Sequence, residues 1–288
     1  MTDLPATESA APQVTWRADL RRLLGSVTFD VGALIVLFWV ACALFGPSLV
    51  PYDPFADDLL NALLPPSSQH WFGTDQLGRD VFSRVIVGAR DILTIAPIAT
   101  LLSTFLGTAL GLTMGYFGGL VDEALSRVVD AILALPTVIV ALLALTALGT
   151  SATTVLVVIA FSFAPVIART VRSAVLTEVG RDYVAAAELR RENTLYILFV
   201  EILPNVLPPI LVETTVRLGY AIFTVATLSF IGFGIQPPSP DWGLSISANY
   251  GMIGGGFWWT VLFDSMAIAS LVVGINLVAD GIESTLND

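Results

Sequence analysis

The sequence predicts an all-α membrane protein with six transmembrane helices, and three observations support this fold class. First, 55% of the 288 residues are hydrophobic and only 13% are charged. Second, the mean hydropathy of +0.81 exceeds what a soluble domain needs to fill one core. Third, six segments reach the length of about 20 apolar residues with which a helix crosses a bilayer. These segments are approximately residues 31–50, 92–117, 128–148, 153–174, 206–231 and 257–279.

The first segment could also be a secretory signal, because Arg17, Arg21 and Arg22 precede an apolar run that contains Ala41-Cys42-Ala43. We favour an uncleaved first helix, since the apolar run continues past that tripeptide and five further spans follow. The predicted organisation is therefore a cytoplasmic tail 1–26, a first transmembrane helix 27–50, an extracytoplasmic loop 51–90 and a transmembrane core 91–288.

Orientation is predicted from the arginines, because cytoplasmic loops of membrane proteins carry an excess of positive charge. With the N-terminus inside, nine loop arginines are cytoplasmic, at positions 17, 21, 22, 127, 169, 172, 181, 190 and 191. Arg79, Arg84 and Arg90 are then outside. Both termini are therefore expected in the cytoplasm. The aromatic residues expected at the outer interface are Trp242, Tyr250, Trp258 and Trp259.

The composition also argues against several classes of function. A net charge of −11, with arginine as the only basic residue, argues against nucleic acid as a partner. A single cysteine, Cys42, and a single histidine, His70, cannot form a disulfide within the chain or the usual zinc motifs. We therefore expect no metal site and no cofactor held by this chain.

The first outer loop carries charges at a helical spacing, at Asp75, Arg79, Asp80 and Arg84. This spacing lets opposite charges meet along one face, which predicts a short interfacial helix held by its own ion pairs. A ligand-contacting role is an alternative, and a metal site formed by His70, Asp75 and Asp80 is another. The second outer loop, 236–256, is interpreted as a capping turn, since it lacks the lysine of a phosphate loop.

The inner loop, residues 175–204, is the most distinctive segment, because mixed charges interrupt two very apolar spans there. It divides into two helix-like halves around residues 190–193. The first half, 183–189, is rich in alanine, so another protein could approach its surface closely. The second half, 195–200, is weakly amphipathic and leads to Leu203-Pro204. This organisation predicts docking into a groove on a cytoplasmic partner.

This inner loop resembles that of the permease subunits of ABC importers, whose pattern is Glu-Ala-Ala, three residues, Gly, nine residues, Ile, one residue and Leu-Pro. Here the first three positions are Ala185-Ala186-Ala187, the glycine position is Arg191 and the end is Leu203-Pro204. Motifs similar to those of the peptide/nickel branch, in its C-type permease, occur from about residue 51 to 288. They are Phe72-Gly73-Thr74-Asp75, Leu77-Gly78-Arg79-Asp80-Val81, Gly88-Ala89-Arg90, Asp130 with Leu135-Pro136, Pro204-Asn205, the run 226–238, Asp241-Trp242-Gly243 and Asp280-Gly281.

The resemblance implies a type I ABC importer transmembrane domain in the cell membrane, without enzymatic activity of its own. Its partners would be a homologous second permease, two ATPase subunits that bind ATP and Mg²⁺, and an extracytoplasmic binding protein. Its substrates would be di- or oligopeptides or similar solutes. The residues implied in coupling to an ATPase are Tyr183, Ala185, Ala186, Ala187, Glu188, Arg191, Leu203 and Pro204. Because Arg191 replaces glycine, we expect an ordinary helical or turn conformation there, or a left-handed conformation at Asn193.

Polar residues inside the predicted spans form a second set of candidates, because an ionisable group in a bilayer usually faces a partner or a water-filled path. Glu213 and Arg217 are four residues apart, so they either pair on one helix face or line the translocation path. Asp264 and Asn276 are weaker candidates for the path.

Three glycines of the second span, Gly107, Gly111 and Gly115, recur every fourth residue. Small residues at this spacing let another helix approach the backbone closely. We expect this stripe to face another span or the partner permease rather than lipid.

Two other classes of protein fit the hydropathy alone. A secondary transporter driven by an ion gradient would ordinarily show internal repeats and broken helices at matched positions, and the sequence has no such pair. A membrane enzyme would need a nucleophile with its base, or a metal cluster, within the spans, and the sequence has neither.

Overall fold

The computed structural model describes residues 25–287, and the regular elements in this range are helical. They include α1 (Val27–Leu49), α2 (Val81–Phe117), α3 (Gly119–Leu133), α4 (Thr137–Leu148), α5 (Ala152–Val179), α6 (Asp182–Leu189), α7 (Thr194–Phe230), α8 (Trp242–Asn249) and α9 (Trp259–Asn287). Apart from residues 25 and 26, the predicted tail 1–26 with its three arginines lies outside the described range.

Five of these helices, α1, α2, α5, α7 and α9, are long and apolar enough to cross a membrane. The shorter α3 and α4 pass the same test together, and their axes are bent by 86°. The predicted all-helical membrane fold is confirmed, and six spans are reached when the bent pair counts as one. A continuous helix over 128–148 is wrong, because Pro136 lacks an N–H and disfavours helix at the residue before it.

The second span begins at Val81, well before the predicted start at residue 92, so the first outer loop ends at Asp80. Asp80 caps the helix: one carboxylate oxygen accepts hydrogen bonds from the Ser83 backbone N–H at 2.8 Å and from the Ser83 hydroxyl at 2.7 Å. An aspartate in this position satisfies backbone donors that the first helical turn leaves free.

The charged series of the first outer loop does not form the predicted interfacial helix. Asp75 accepts hydrogen bonds from the backbone N–H groups of Leu77 and Arg79 in a turn, in which Gly78 has a φ of +76°. An aspartate that bonds backbone groups two and four residues on stabilises a turn in preference to a helix. Only Arg84 of this series lies within a helix, where it is buried in the first turn of α2.

The second outer loop is also more ordered than a capping turn, because it contains α8. The Asp241 side chain caps α8 by accepting a hydrogen bond from the Leu244 N–H at 2.8 Å. Trp242 is fully buried, and its indole N–H donates to the Val85 carbonyl of α2 at 2.8 Å. The outer loop is therefore part of the core.

The most extensive helix packing joins α2 to α5 along the glycine stripe. Gly107, Gly111 and Gly115 all lie against α5, so the stripe faces another span of the same chain. A Cβ atom added at Gly111 would lie 2.6 Å from the Cβ of Val171. In contrast, α1 is peripheral: Leu34 is 69% exposed, as expected for a helix that faces lipid.

Candidate functional site

The inner loop, predicted from its mixed charge, folds as α6, a tight turn and the beginning of α7. The Asn193 side chain caps α7 by accepting a hydrogen bond from the Tyr196 N–H at 2.7 Å. The next part of α7 is a π-helix, Ile197–Ile202, which returns to α-helical geometry at Leu203. Pro204 has no N–H to give to the preceding turn, and π-helical segments are frequent at functional sites.

Arg191 adopts the left-handed conformation in the turn after α6, with a φ of +58°. Its N–H donates to the Glu188 carbonyl at 2.9 Å, and the Glu192 N–H donates to the Ala187 carbonyl at 3.2 Å. These two bonds are the Schellman motif that ends many helices, in which glycine normally takes the left-handed place. Both sequence-based alternatives are wrong, because Arg191 is not in an ordinary conformation and Asn193 has a φ of −74°.

The two faces of α6 have different environments. Val184 and Ala187 are buried against Ile197 and Ile202 of the π-helix, so the two halves of the inner loop share one apolar core. Residues on the other face are exposed: Ala185, Ala186, Glu188 and Leu189. Leu189 is 86% exposed. Of the three alanines aligned with the family pattern, two are therefore on the surface and one is interior.

Polar contacts join residues within the inner loop. The Tyr183 hydroxyl donates a hydrogen bond to Glu178 Oε2 at 2.8 Å, and burial together with this bond raises the pKa of Tyr183 to about 12. Arg190 pairs with Glu201 at 3.0 Å. At the end of the loop, Leu203 is half-buried and Pro204 is exposed. The loop thus presents a fixed surface.

In α7, one turn of helix joins Glu213 and Arg217 in an ion pair, with Arg217 Nε donating to Glu213 Oε1 at 2.5 Å. The Thr170 hydroxyl of α5 donates to the other carboxylate oxygen at 3.3 Å. The Arg217 guanidinium carbon lies 5.0 Å from the centre of the Tyr220 ring, within the range of a cation–π contact. The pair is partly accessible, with 20% of the arginine and 16% of the glutamate side chain exposed.

Asp264 and Asn276, the other intramembrane candidates, lie apart from this pair. Asp264 is buried near the outer end of α9, in a small polar cavity with Asp75, Arg84 and other side chains. Asn276 is exposed, and its Oδ1 would lie 3.0 Å from a Cβ atom placed on Gly219 of α7. The structure therefore does not assemble the four residues into one site.

The buried polar cluster around Arg84 was not predicted from the sequence. The Arg84 guanidinium donates to the Pro54 carbonyl at 2.9 Å, to the Ser239 carbonyl at 3.2 Å and to the Ser245 hydroxyl at 3.3 Å. These acceptors join both outer loops to α2, which makes the cluster structural. The sequence signal for this cluster was the charge of Arg84, which lies one helical turn after the capping Asp80.

Within residues 25–287, no group of three or more His, Cys, Asp and Glu residues could hold a metal ion. The alternative metal site is not assembled. His70 Nδ1 contacts Asp80 at 2.9 Å, while Asp75 pairs with Arg79.

Comparison with known proteins gives these features a family. Residues 107–287 match the family described as binding-protein-dependent transport system inner membrane component. Residues 15–66 match the N-terminal transmembrane domain of oligopeptide transport permease C. A chain of the methionine ABC transporter MetNI, solved in inward-facing conformations, has the same fold, with a TM-score of 0.57 and 19% identity over 70% of this chain and 96% of that chain.

Relatives extend over the whole sequence. The dipeptide transport system permease protein DppC of Alkalihalophilus pseudofirmus is 35% identical over 100% of this chain and 95% of its own. The di/tripeptide transport system permease protein DppC of Pseudomonas aeruginosa is 36% identical over 100% and 97%. The glutathione transport system permease protein GsiD of Pectobacterium atrosepticum is 35% identical over 100% and 95%. The chain therefore belongs to the binding-protein-dependent transport system inner membrane components, the non-enzymatic permeases of ABC importers.

Proposed function

We propose that this permease forms, with a homologous second permease, the path by which short peptides enter the cell. Two separate ATPase subunits bind ATP and Mg²⁺ and drive the cycle, and an extracytoplasmic binding protein delivers the substrate. The relatives support the substrate class, because their names refer to dipeptides, di- and tripeptides and glutathione. All of these are short peptides.

The proposal is supported by the composition of the exposed face of the inner loop. Its exposed face combines two small residues, Ala185 and Ala186, with the apolar side chains of Leu189 and Leu195, the latter 66% exposed. Exposed apolar residues around small ones favour burial in a groove of another protein. The arginine distribution assigns this face to the cytoplasm, where an ATPase is available.

The buried face explains how docking would reach the membrane. Ala187 and Val184 are held against Ile197 and Ile202, which belong to α7. A force applied to α6 is therefore transmitted to a transmembrane helix, because close-packed interiors are not continuously deformable. This is the coupling that an ATP-driven permease needs.

Reconstitution in liposomes tests the proposal. The chain, its second permease, the ATPases and the binding protein are assembled, and uptake of a labelled dipeptide is measured with ATP, without ATP and with an imposed ion gradient. We expect uptake when ATP is present, and no uptake when only the ion gradient is present. Uptake driven by the ion gradient without ATP would contradict the proposal and favour a secondary transporter.

Ala186→Glu tests the docking surface, because it adds a charge to the exposed face without entering the core. We expect a loss of ATPase co-purification and at least about a tenfold fall in ATP-dependent uptake, since a buried unpaired charge costs several kcal/mol. Ala56→Glu, at an exposed position of the first outer loop, is the matched control and should retain the ATPase. Ala187 is unsuitable, because a glutamate there would disrupt the loop itself. Normal ATPase binding by the Ala186 variant would argue against this surface.

A further inference from the structure

We propose that Arg217 binds the C-terminal carboxylate of the peptide as it passes through the membrane, and that Glu213 positions the guanidinium for this contact. The proposal rests on the proposed function, and it names the chemical group that the path recognises. It requires a free hydrogen-bonding edge on Arg217, access to that edge, and a groove that reaches the ion pair. The structure provides each of these.

The free edge follows from how Arg217 is held. Its Nε group donates to Glu213, and among the residues that the structure describes neither Nη group donates to a protein acceptor. The guanidinium is fixed from one side by the carboxylate and lies near the Tyr220 ring, which is itself 55% exposed. A guanidinium in this state keeps the planar pair of donors that matches a carboxylate.

The pair lies within α7, a helix that is long and apolar enough to cross a membrane. Charges inside a bilayer are rare and mark substrate or ion paths, because they are costly unless they are paired or reached by water. Glu213 neutralises Arg217, so the site is kept at low net charge when no substrate is present.

A surface groove reaches the pair through Thr170. The groove has a volume of about 500 Å³, is open to the surface and is lined mostly by α5, with one residue from α7. Thr170, which lines this groove, is the residue that donates to Glu213, and Pro209 lines it one helical turn before Glu213. Its other lining residues are Arg169, Ser173, Ala174 and Thr177. The hydroxyl groups of Thr170, Ser173 and Thr177 can form hydrogen bonds with a peptide backbone.

The experiment compares a dipeptide that has a free C-terminal carboxylate with the same dipeptide as a C-terminal amide. The complete reconstituted transporter receives binding protein that is saturated with either form, and the readout is the number of peptides imported per ATP hydrolysed. Saturation removes the binding protein's own preference from the comparison between variants. A substrate that is not held in the path returns to the outside, which lowers this ratio.

We expect Arg217→Gln to lower the ratio for the free carboxylate by about tenfold, as for loss of a charge-assisted hydrogen bond, and to leave the ratio for the amide unchanged. Arg217→Lys keeps a positive charge beside Glu213 but loses the planar pair of donors. Its ratio for the free carboxylate should therefore lie between those of the wild type and the glutamine variant. If the glutamine variant does not assemble, the lysine variant provides the same comparison. Arg127→Gln is the matched control, because Arg127 pairs with Glu123 at the same spacing but is 78% exposed.

Two results would overturn the inference while the proposed function stands: equal losses for both peptides in the Arg217 variants, or no loss for either. Failure of the wild-type transporter to import either peptide with ATP would instead contradict the proposed function, and the inference with it. A selective loss for the free carboxylate supports both.

Discussion

Replacing Gly111 with alanine should destabilise the protein by about 2 kcal/mol, because the new methyl group would force α2 and α5 apart. The added Cβ atom would lie 2.6 Å from the Cβ of Val171 and 2.7 Å from the Ala168 carbonyl oxygen. Ordinary contacts between such atoms are about 3.5–4.0 Å, so the helices must separate locally by roughly 1 Å. Gly107 and Gly115 hold the same two helices equally close on either side, which prevents an easy tilt.

The magnitude combines two opposing effects. Overpacking a well-packed contact costs about 1–3 kcal/mol, and the severity of this overlap favours the upper value. Alanine gains up to about 1 kcal/mol over glycine in helix propensity, which leaves a net loss near 2 kcal/mol. Denaturant unfolding of the purified chain in detergent measures it. Gly180→Ala is the control, because Gly180 has a φ of −79° and no atom within 4 Å of an added Cβ. A Gly111 variant as stable as the wild type would refute the close-packing argument.

Three further changes test local features. Arg191→Gly should stabilise the chain by about 1 kcal/mol in the same assay, because glycine adopts the left-handed conformation without penalty, whereas Arg191→Ala should give no such gain. Burial raises the pKa of Asp241 to about 6, so the folded chain binds the extra proton. Wild-type stability should then fall as the pH rises from about 4 to 6, with up to about 3 kcal/mol of the fall due to Asp241, and Asp241→Asn should remove that part of the slope. Tyr183→Phe removes the hydrogen bond to Glu178 and should raise hydrogen exchange of α6 about fivefold, as for about 1 kcal/mol; unchanged exchange would contradict it.

The spans were predictable because hydropathy is a property of the segment itself. The start of α2 was not predictable, because Arg84 and Arg90 give its first turns the composition of a loop. Arg84 is tolerated in the interior because its acceptors come from residues 30 to 161 positions away in the chain. A sequence pattern shows the charge but not its distant partners. Hydropathy thus underestimates the length of a helix whose charged residues are satisfied by tertiary contacts.

The inner loop shows the same division between local and tertiary information. Its position and two-part form could be predicted, since mixed charge and alanine content are local. A run of three alanines has no polar face, however, so the sequence does not distinguish the buried Ala187 from the exposed Ala185 and Ala186. The conformation of Arg191 was also hidden, because the hydrogen bonds that end α6 hold a residue that is not intrinsically suited to it.

One helix connects the two candidate sites, and this connection defines how they would work together. α7 runs unbroken over Thr194–Phe230, so about 33 Å of helix separates Leu195, at the proposed docking face, from Arg217. Because α6 is packed on the first turns of α7, ATPase closure should displace both together and shift Glu213 relative to Thr170 of α5. The contact between Glu213 and Thr170, at 3.3 Å, is the weakest of the pair's hydrogen bonds and should break first.

Displacement of α7 relative to α5 would open or close the groove that reaches the charged pair through Thr170, which would give the bound carboxylate access to the cytoplasm in one state only. Spin labels at the exposed positions Thr177 and Leu211 would report this change as a distance. We expect that distance to differ by several ångströms between nucleotide-free and ATP-bound transporter, by the scale of helix shifts in comparable transitions. The same labels in the Ala186→Glu variant should show no change with ATP. An equal distance in both states of the wild type would mean that α7 does not carry the motion.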